Sequence, residues 1–136
     1  MHPDDIEYLT VADVIALYDV AMQESDQPAS ALVREDALRS AVHHPRNLGY
    51  YGDAGLSEQA VELMLHIASA HPWVDGNKRI ATLAFYAFLR KNSVSVPGQE
   101  ALRSVADLLI LWLSTPAEQR PAVQDELVAL VDSWVR

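Results

Sequence analysis

The chain has 136 residues, 50% of them hydrophobic, with a mean hydropathy of +0.01 and no cysteine. That composition suits one globular domain over residues 1–136, and it excludes a disulfide scaffold, a thiolate zinc site and a cysteine nucleophile. Nineteen acidic against ten basic residues give a formal charge of −9, a surface that repels nucleic acid and anionic lipid, so neither is expected as a direct partner.

The start, Met1-His2-Pro3-Asp4-Asp5, is polar and acidic, and no apolar run approaches the roughly eighteen residues of a membrane span. These features read as a chain without signal peptide or spanning helix, with the cytoplasm as its natural compartment. Helical periodicity dominates the rest of the chain. Thr10 to Asp13 forms a capping-box pattern in its Asp form and opens an amphipathic helix to about Gln23. After a loop around Pro28, a short helix is expected from about Val33 to His43, stopped by Pro45. The stretch from His44 to Gly55 is irregular, with Gly49, Gly52, Tyr50 and Tyr51, and reads as a loop or short hairpin.

Ser57 is placed as the N-cap of the next helix, with Leu56 and Val61 as a hydrophobic staple, and this helix runs to about Ala70. Gly76 to Arg90 is apolar on nearly every face, which marks a helix in the middle of a bundle. An extended link at Val94 to Val96 then leads to two closing helices, about 99–113 and 117–134. The expected architecture is all-α: six or so helices packed around the one that begins at Gly76, with a short flap before it.

Between those two central helices lies His71-Pro72-Trp73-Val74-Asp75-Gly76-Asn77-Lys78-Arg79. A polar loop running into a helix N-terminus is a phosphate site on physical grounds, because the first turn leaves N–H groups unpaired at the positive end of the helix dipole. An imidazole is the side-chain type suited to a general base near neutral pH, which makes His71 a candidate, although a lone histidine at a helix end is more often structural. Asp75 is placed either as helix N-cap or as magnesium ligand. Gly76 permits close approach of a ligand to the backbone, and Asn77 has an amide to offer a phosphate oxygen. Lys78 and Arg79 supply positive charge. Trp73 reads as an apolar anchor beneath the loop. His66 reads as a satisfied core residue, and His43-His44 as helix-end imidazoles. The chain contains no H-E-x-x-H, G-x-S-x-G or Walker-type pattern, which argues against a zinc hydrolase, a serine hydrolase and a P-loop enzyme.

The nine residues resemble the signature of the Fic/Doc superfamily, whose Fic branch has the form H-P-F-x-[D/E]-G-N-G-R-x-x-R. His71, Pro72, Asp75, Gly76, Asn77 and Arg79 match it, and Trp73 replaces the Phe conservatively. Lys78 stands in place of the second Gly and Thr82 in place of the second Arg. Both departures are those of the Doc branch, which reads H-x-F-x-D-[A/G]-N-K-R. Leu9 to Asp19 resembles the opening helix of Doc-like proteins, and Arg34 to Pro45 their second, ending in A-x-x-x-P-R-N. Many Doc-like sequences carry Arg two residues before the motif His, where this chain has Ser69.

The resemblance implies the toxin of a toxin–antitoxin pair that transfers the γ-phosphoryl group of ATP, with Mg2+, to a Ser/Thr hydroxyl. The target class it suggests is a translation protein of the elongation factor Tu type. In that scheme His71 is the base, Asp75 holds magnesium, Gly76 and Asn77 form the anion hole, and Lys78 and Arg79 balance phosphate charge. The segment Asn47, Leu48, Gly49, Tyr50 and Tyr51 corresponds to the flap that pairs with the target. The implied partner is a Phd-type antitoxin. Fic proteins that restrain themselves carry a [S/T]-x-x-x-E-[G/N] helix, and no Glu in these residues is followed by Gly or Asn. Leu38, Val42, Leu127, Leu130 and Val131 are candidates for an antitoxin groove, unless they are ordinary core. The alternatives are transfer of AMP, as in the Fic branch, and a catalytically weak antitoxin-binding co-repressor, toward which Ser69 leans.

Overall fold

The computed structural model describes residues 3–135. Six α-helices carry the fold: α1 (Val11–Glu24), α2 (Glu35–Tyr51), α3 (Leu56–Ala70), α4 (Asn77–Lys91), α5 (Gln99–Ser114) and α6 (Arg120–Asp132), with 3-10 turns at Pro3–Asp5 and Ala117–Gln119. No β-strand occurs among the described residues, only an isolated antiparallel bridge between Leu32 and Trp73. No helix among them is long and apolar enough to cross a membrane.

Local signals explain several boundaries. The Thr10 hydroxyl accepts the Asp13 N–H at 3.0 Å while the Asp13 carboxylate accepts the Thr10 N–H at 2.8 Å, the reciprocal capping box. That bond from the Thr10 backbone holds the Asp13 carboxyl below its ordinary range. At α3 the cap is Gly55 rather than Ser57, because Leu56 and Ser57 are already buried in the first turn. α3 and α4 flank the motif and share the centre of the bundle. α3 packs against α2, α4 and α6, and α4 also packs against α1. Leu63, Met64, Leu65 and Ile67 of α3 meet Ile80, Phe85, Phe88 and Leu89 of α4 in one continuous core.

The second helix departs most from the sequence expectation. Pro45 does not stop it; α2 runs through Pro45 to Tyr51. Proline removes one helical N–H, a cost that burial offsets here: Pro45 and Gly49 lie on the face turned to the core. Asn47, Leu48, Gly49, Tyr50 and Tyr51 are therefore helical and present no strand-like edge. They also lie at the wrong end of the molecule for a flap. Gly49 abuts Gln59 in the first turn of α3, whereas His71 follows the last turn, about 18 Å away by helix rise.

The proposed groove residues are core as well: Leu38, Val42, Leu127 and Val131 are buried and Leu130 is partly so. The apolar side chains left open include Leu102, Ile110 and Leu111 on α5.

Gly49 is fixed by close approach. A Cβ there would stand 2.7 Å from Gln59 Nε2 and 3.0 Å from the Tyr8 hydroxyl. Gln59 is fully buried and engaged on both sides, donating to the Ala54 carbonyl at 2.8 Å and accepting from Tyr8 at 2.8 Å. Its amide has nowhere to retreat without losing a bond. Gly49→Ala should therefore lower stability by about 1–3 kcal/mol in urea denaturation, while the activity of the folded fraction stays at the parent level. Loss of activity without loss of stability would return this segment to the functional site.

Candidate active site

The six residues between α3 and α4 form a short, tightly fastened loop. His71 closes α3 in the left-handed region (φ 48°, ψ 57°), directly before Pro72. A β-carbon makes that region costly, and a following proline favours extended backbone instead. Such local strain persists only where the surroundings enforce it. The Pro72 carbonyl accepts the N–H groups of Val33 and Arg34 at 2.9 and 3.0 Å, and the Val74 N–H reaches the Ala31 carbonyl at 3.2 Å. Strand-like pairing beside the motif thus comes from residues 31–34, just before α2, and not from 47–51.

Trp73 lies beneath the loop, stacked on Tyr18 with ring centroids 4.1 Å apart and planes 8° from parallel. The Tyr18 hydroxyl donates to the Asp75 carbonyl at 3.0 Å and lies 2.7 Å from the Ser30 hydroxyl. Ser30 Oγ in turn accepts the Asp75 N–H at 3.0 Å. Gly76 then turns the chain into α4 with φ 82°, where a Cβ would press on Met22 Sδ at 3.0 Å and Tyr18 Cε1 at 3.1 Å. Both the backbone angle and the space require glycine.

Gly76, not Asp75, is the N-cap of α4, and among the described residues no side chain caps the helix. The first N–H bonded within the helix is that of Ile80, to the Gly76 carbonyl at 3.0 Å. The preceding turn therefore points donors, at the positive end of the dipole, into an open cleft of about 470 Å³. His71, Asp75, Gly76, Asn77, Lys78 and Arg79 line that cleft together with Gln27 and Val74. All six residues expected at the motif site are brought together; the five expected as flap are not among them.

Two side chains differ from the sequence expectation. Asn77 is buried and spends its amide on the loop, accepting the Trp73 N–H at 3.0 Å and donating to the Trp73 carbonyl at 2.8 Å. Its Nδ2 also faces His71 Nδ1 at 3.4 Å. It fastens the loop and steadies the histidine rather than reaching for a phosphate. Arg79 leans across the cleft wall, donating to Ser25 Oγ at 2.9 Å and Gln27 Oε1 at 3.4 Å, so its charge is braced against the end of α1. Lys78 is exposed, and Asp75 holds the Gly76 N–H on one carboxylate oxygen at 2.8 Å. Ser69 turns its hydroxyl back to the Leu65 carbonyl at 2.6 Å, and Thr82 turns its own to the Arg79 carbonyl at 2.9 Å.

Tyr18, Ser30 and Gln27 were missed from sequence. They lie 41 or more residues from the motif, and nothing local marks an amphipathic-helix tyrosine or a loop serine as part of a distant turn.

The profile of the Fic/DOC family matches residues 8–89, more than half of the chain. Comparison with curated proteins gives no match. The backbone strain at His71 has a direct test. His71→Gly and His71→Ala both remove the imidazole and differ only in the β-carbon, so the glycine variant should be the more stable by about 1 kcal/mol. Chemical denaturation with both variants checks this, and the reverse order would mean that residue 71 leaves the left-handed region. With the family profile spanning α1 to α4 and the motif held as described, this chain belongs to the Fic/DOC family, whose members are typically transferases that modify proteins.

Proposed function

We propose that the protein is a Doc-type toxin that transfers the γ-phosphoryl group of ATP to a Ser/Thr hydroxyl of a translation protein of the elongation factor Tu class, in the cytoplasm. The observation that carries this reading is the uncapped N-terminus of α4 facing the same cleft as His71, Lys78 and Arg79. Oriented N–H groups and fixed cations stabilise charge on a transferring phosphoryl group, which is where most catalysis of this reaction comes from. The donor set also suits a magnesium nucleotide. Among the described residues Asp75 is the single exposed carboxylate that lines the cleft, and magnesium takes most of its ligands from phosphates and water. Held there, the ion would offset phosphate charge.

In this scheme His71 takes the proton of the target hydroxyl. The hydroxyl oxygen bonds to the γ-phosphorus, the bond from that phosphorus to the β–γ bridging oxygen breaks, and ADP leaves. The Asn77 Nδ2 lies 3.4 Å from His71 Nδ1, a contact too long to fix the tautomer of the ring. Nε2 is the nitrogen left for the substrate. Accepting a proton there requires the tautomer with hydrogen on Nδ1.

Two positions support phosphoryl over AMP transfer. Lys78 puts a long cation where Fic enzymes have a small glycine and room for phosphates. Thr82, bonded to its own helix, supplies no second arginine. Restraint is proposed to come from a Phd-type antitoxin, whose segment would find open apolar side chains on α5 (Leu102, Ile110, Leu111).

Incubation with cell extract and ATP labelled separately at the α or γ position tests the reading. Label from γ is expected; label from α would mean AMP transfer, and none a binding module. His71→Ala should lower the transfer rate by about 10²–10⁴-fold while antitoxin binding persists. A variant as active as the parent would remove His71 from the chemistry.

Lys78→Gly separates the branches further. Because Lys78 is exposed, its replacement should leave stability close to the parent while lowering γ-transfer. Both activities are read on one purified target. Unchanged γ-transfer would show that Lys78 does not set the orientation of the nucleotide.

A further inference from the structure

A second cluster of ligating side chains stands outside the cleft, on the packed faces of α2 and α3. Glu62 and His66 are one turn apart on α3, so both project from the same side of that helix. His44, on the neighbouring α2, faces them. His44 Nε2 lies 3.2 Å and His66 Nε2 3.1 Å from the same carboxylate oxygen, Glu62 Oε2. The three ligand atoms all fall within 4.8 Å of one another. None of these residues lines the cleft at His71.

We propose that His44, Glu62 and His66 form a divalent transition-metal site, of the kind zinc takes with two imidazoles and one carboxylate, that clips α2 to α3.

Geometry is the main support. Ligands about 2.0–2.1 Å from a tetrahedral zinc stand roughly 3.3 Å apart along each edge, close to the two separations found here. The site has a built outer partner: Gln124 of α6 donates to the other carboxylate oxygen, Glu62 Oε1, at 2.6 Å. Carboxylates that ligate metals are oriented by such bonds. The imidazoles lie with centroids 3.7 Å apart and planes tilted by 32°, and two protonated rings at that distance would repel each other. A single dication satisfies both rings and the carboxylate at once. Glu62 is the most enclosed of the three, with 18% of its side chain exposed against 28% for His44 and 44% for His66. Two protein ligands are thus accessible from outside, and a fourth position is left for water. Imidazole nitrogen with one carboxylate favours zinc, cobalt or nickel over magnesium or calcium.

The test uses the full chain freed of metal with a chelator. Zn2+ titrated by calorimetry should bind at one equivalent and raise the melting temperature. Co2+ in the same site should give the intense visible bands of tetrahedral coordination. His44→Gln, Glu62→Gln and His66→Gln should each abolish the cobalt bands. Gln124→Ala should weaken zinc by about 10–100-fold, and His71→Ala should leave it unchanged. Absence of stoichiometric zinc binding would overturn the proposal. So would binding that survives in His44→Gln and His66→Gln, or that disappears in His71→Ala. Should a ligand variant fail to fold, X-ray absorption on the zinc-loaded parent decides: two imidazole nitrogens in the shell uphold the site, and an all-oxygen shell rejects it.

Discussion

Everything at the candidate active site depends on how a six-residue loop between two buried helices satisfies its backbone. Such a turn has polar groups that neither helix can serve, and each one left unpaired away from water would be costly. Here the partners are assigned one by one. Pro72 gives its carbonyl to Val33 and Arg34, Trp73 gives both its groups to Asn77, and Asp75 gives both of its own to Tyr18 and Ser30. Tyr18 serves twice, since its ring also carries Trp73. The outcome is that the N–H groups left over are those at the start of α4, where the cleft opens. The N–H groups of Trp73, Val74, Asp75 and Gly76 are spent within the fold, and the next ones, at the start of α4, are not.

The same accounting explains which residues have direct chemistry and which hold position. Asn77 sits in the motif, and its type suggests a phosphate contact, but its amide is consumed by Trp73. What it contributes is a fixed neighbour for His71 Nδ1. Arg79, likewise, is not a free charge but one braced by Ser25 and Gln27. In a chain of formal charge −9, cations held at a helix N-terminus focus a local field that the rest of the surface opposes. That contrast fits the small polyanionic substrate proposed above.

Features set by neighbouring residues were legible in the sequence, and features set across the fold were not. The Thr10–Asp13 capping box, the apolar run after Gly76 and the nine-residue motif are all local, and the structure reproduces the first two and gathers the motif at one cleft. Pro45 and Gly49 misled because their local meaning is to break a helix. In the fold both are buried on the inner face of α2, and Gly49 lets that helix approach Gln59 and Tyr8, a contact that no window of sequence contains. The extended segment beside the motif was not foreseen for a related reason. Residues 31–34 have no strand periodicity and acquire their extended form only by bonding to Pro72 and Val74.

His44, Glu62 and His66 show the same limit from the other side. Read along the chain, His44 was a helix-end residue and His66 a core one, and no ligand spacing joined them. Once Pro45 is inside α2, His44 moves from a helix end to its middle, and α2 antiparallel to α3 brings it to Glu62. The hydrogen bond from His66, with that from Gln124 behind it, holds the Glu62 carboxyl down at about 2, and burial beside His66 keeps the His44 imidazole below its usual range. At neutral pH the cluster is thus an ionised carboxylate facing a His44 ring that resists charging. α3 carries this cluster along its length and His71 at its end, so any constraint on how α2 packs against α3 also bears on the frame from which the strained His71 projects.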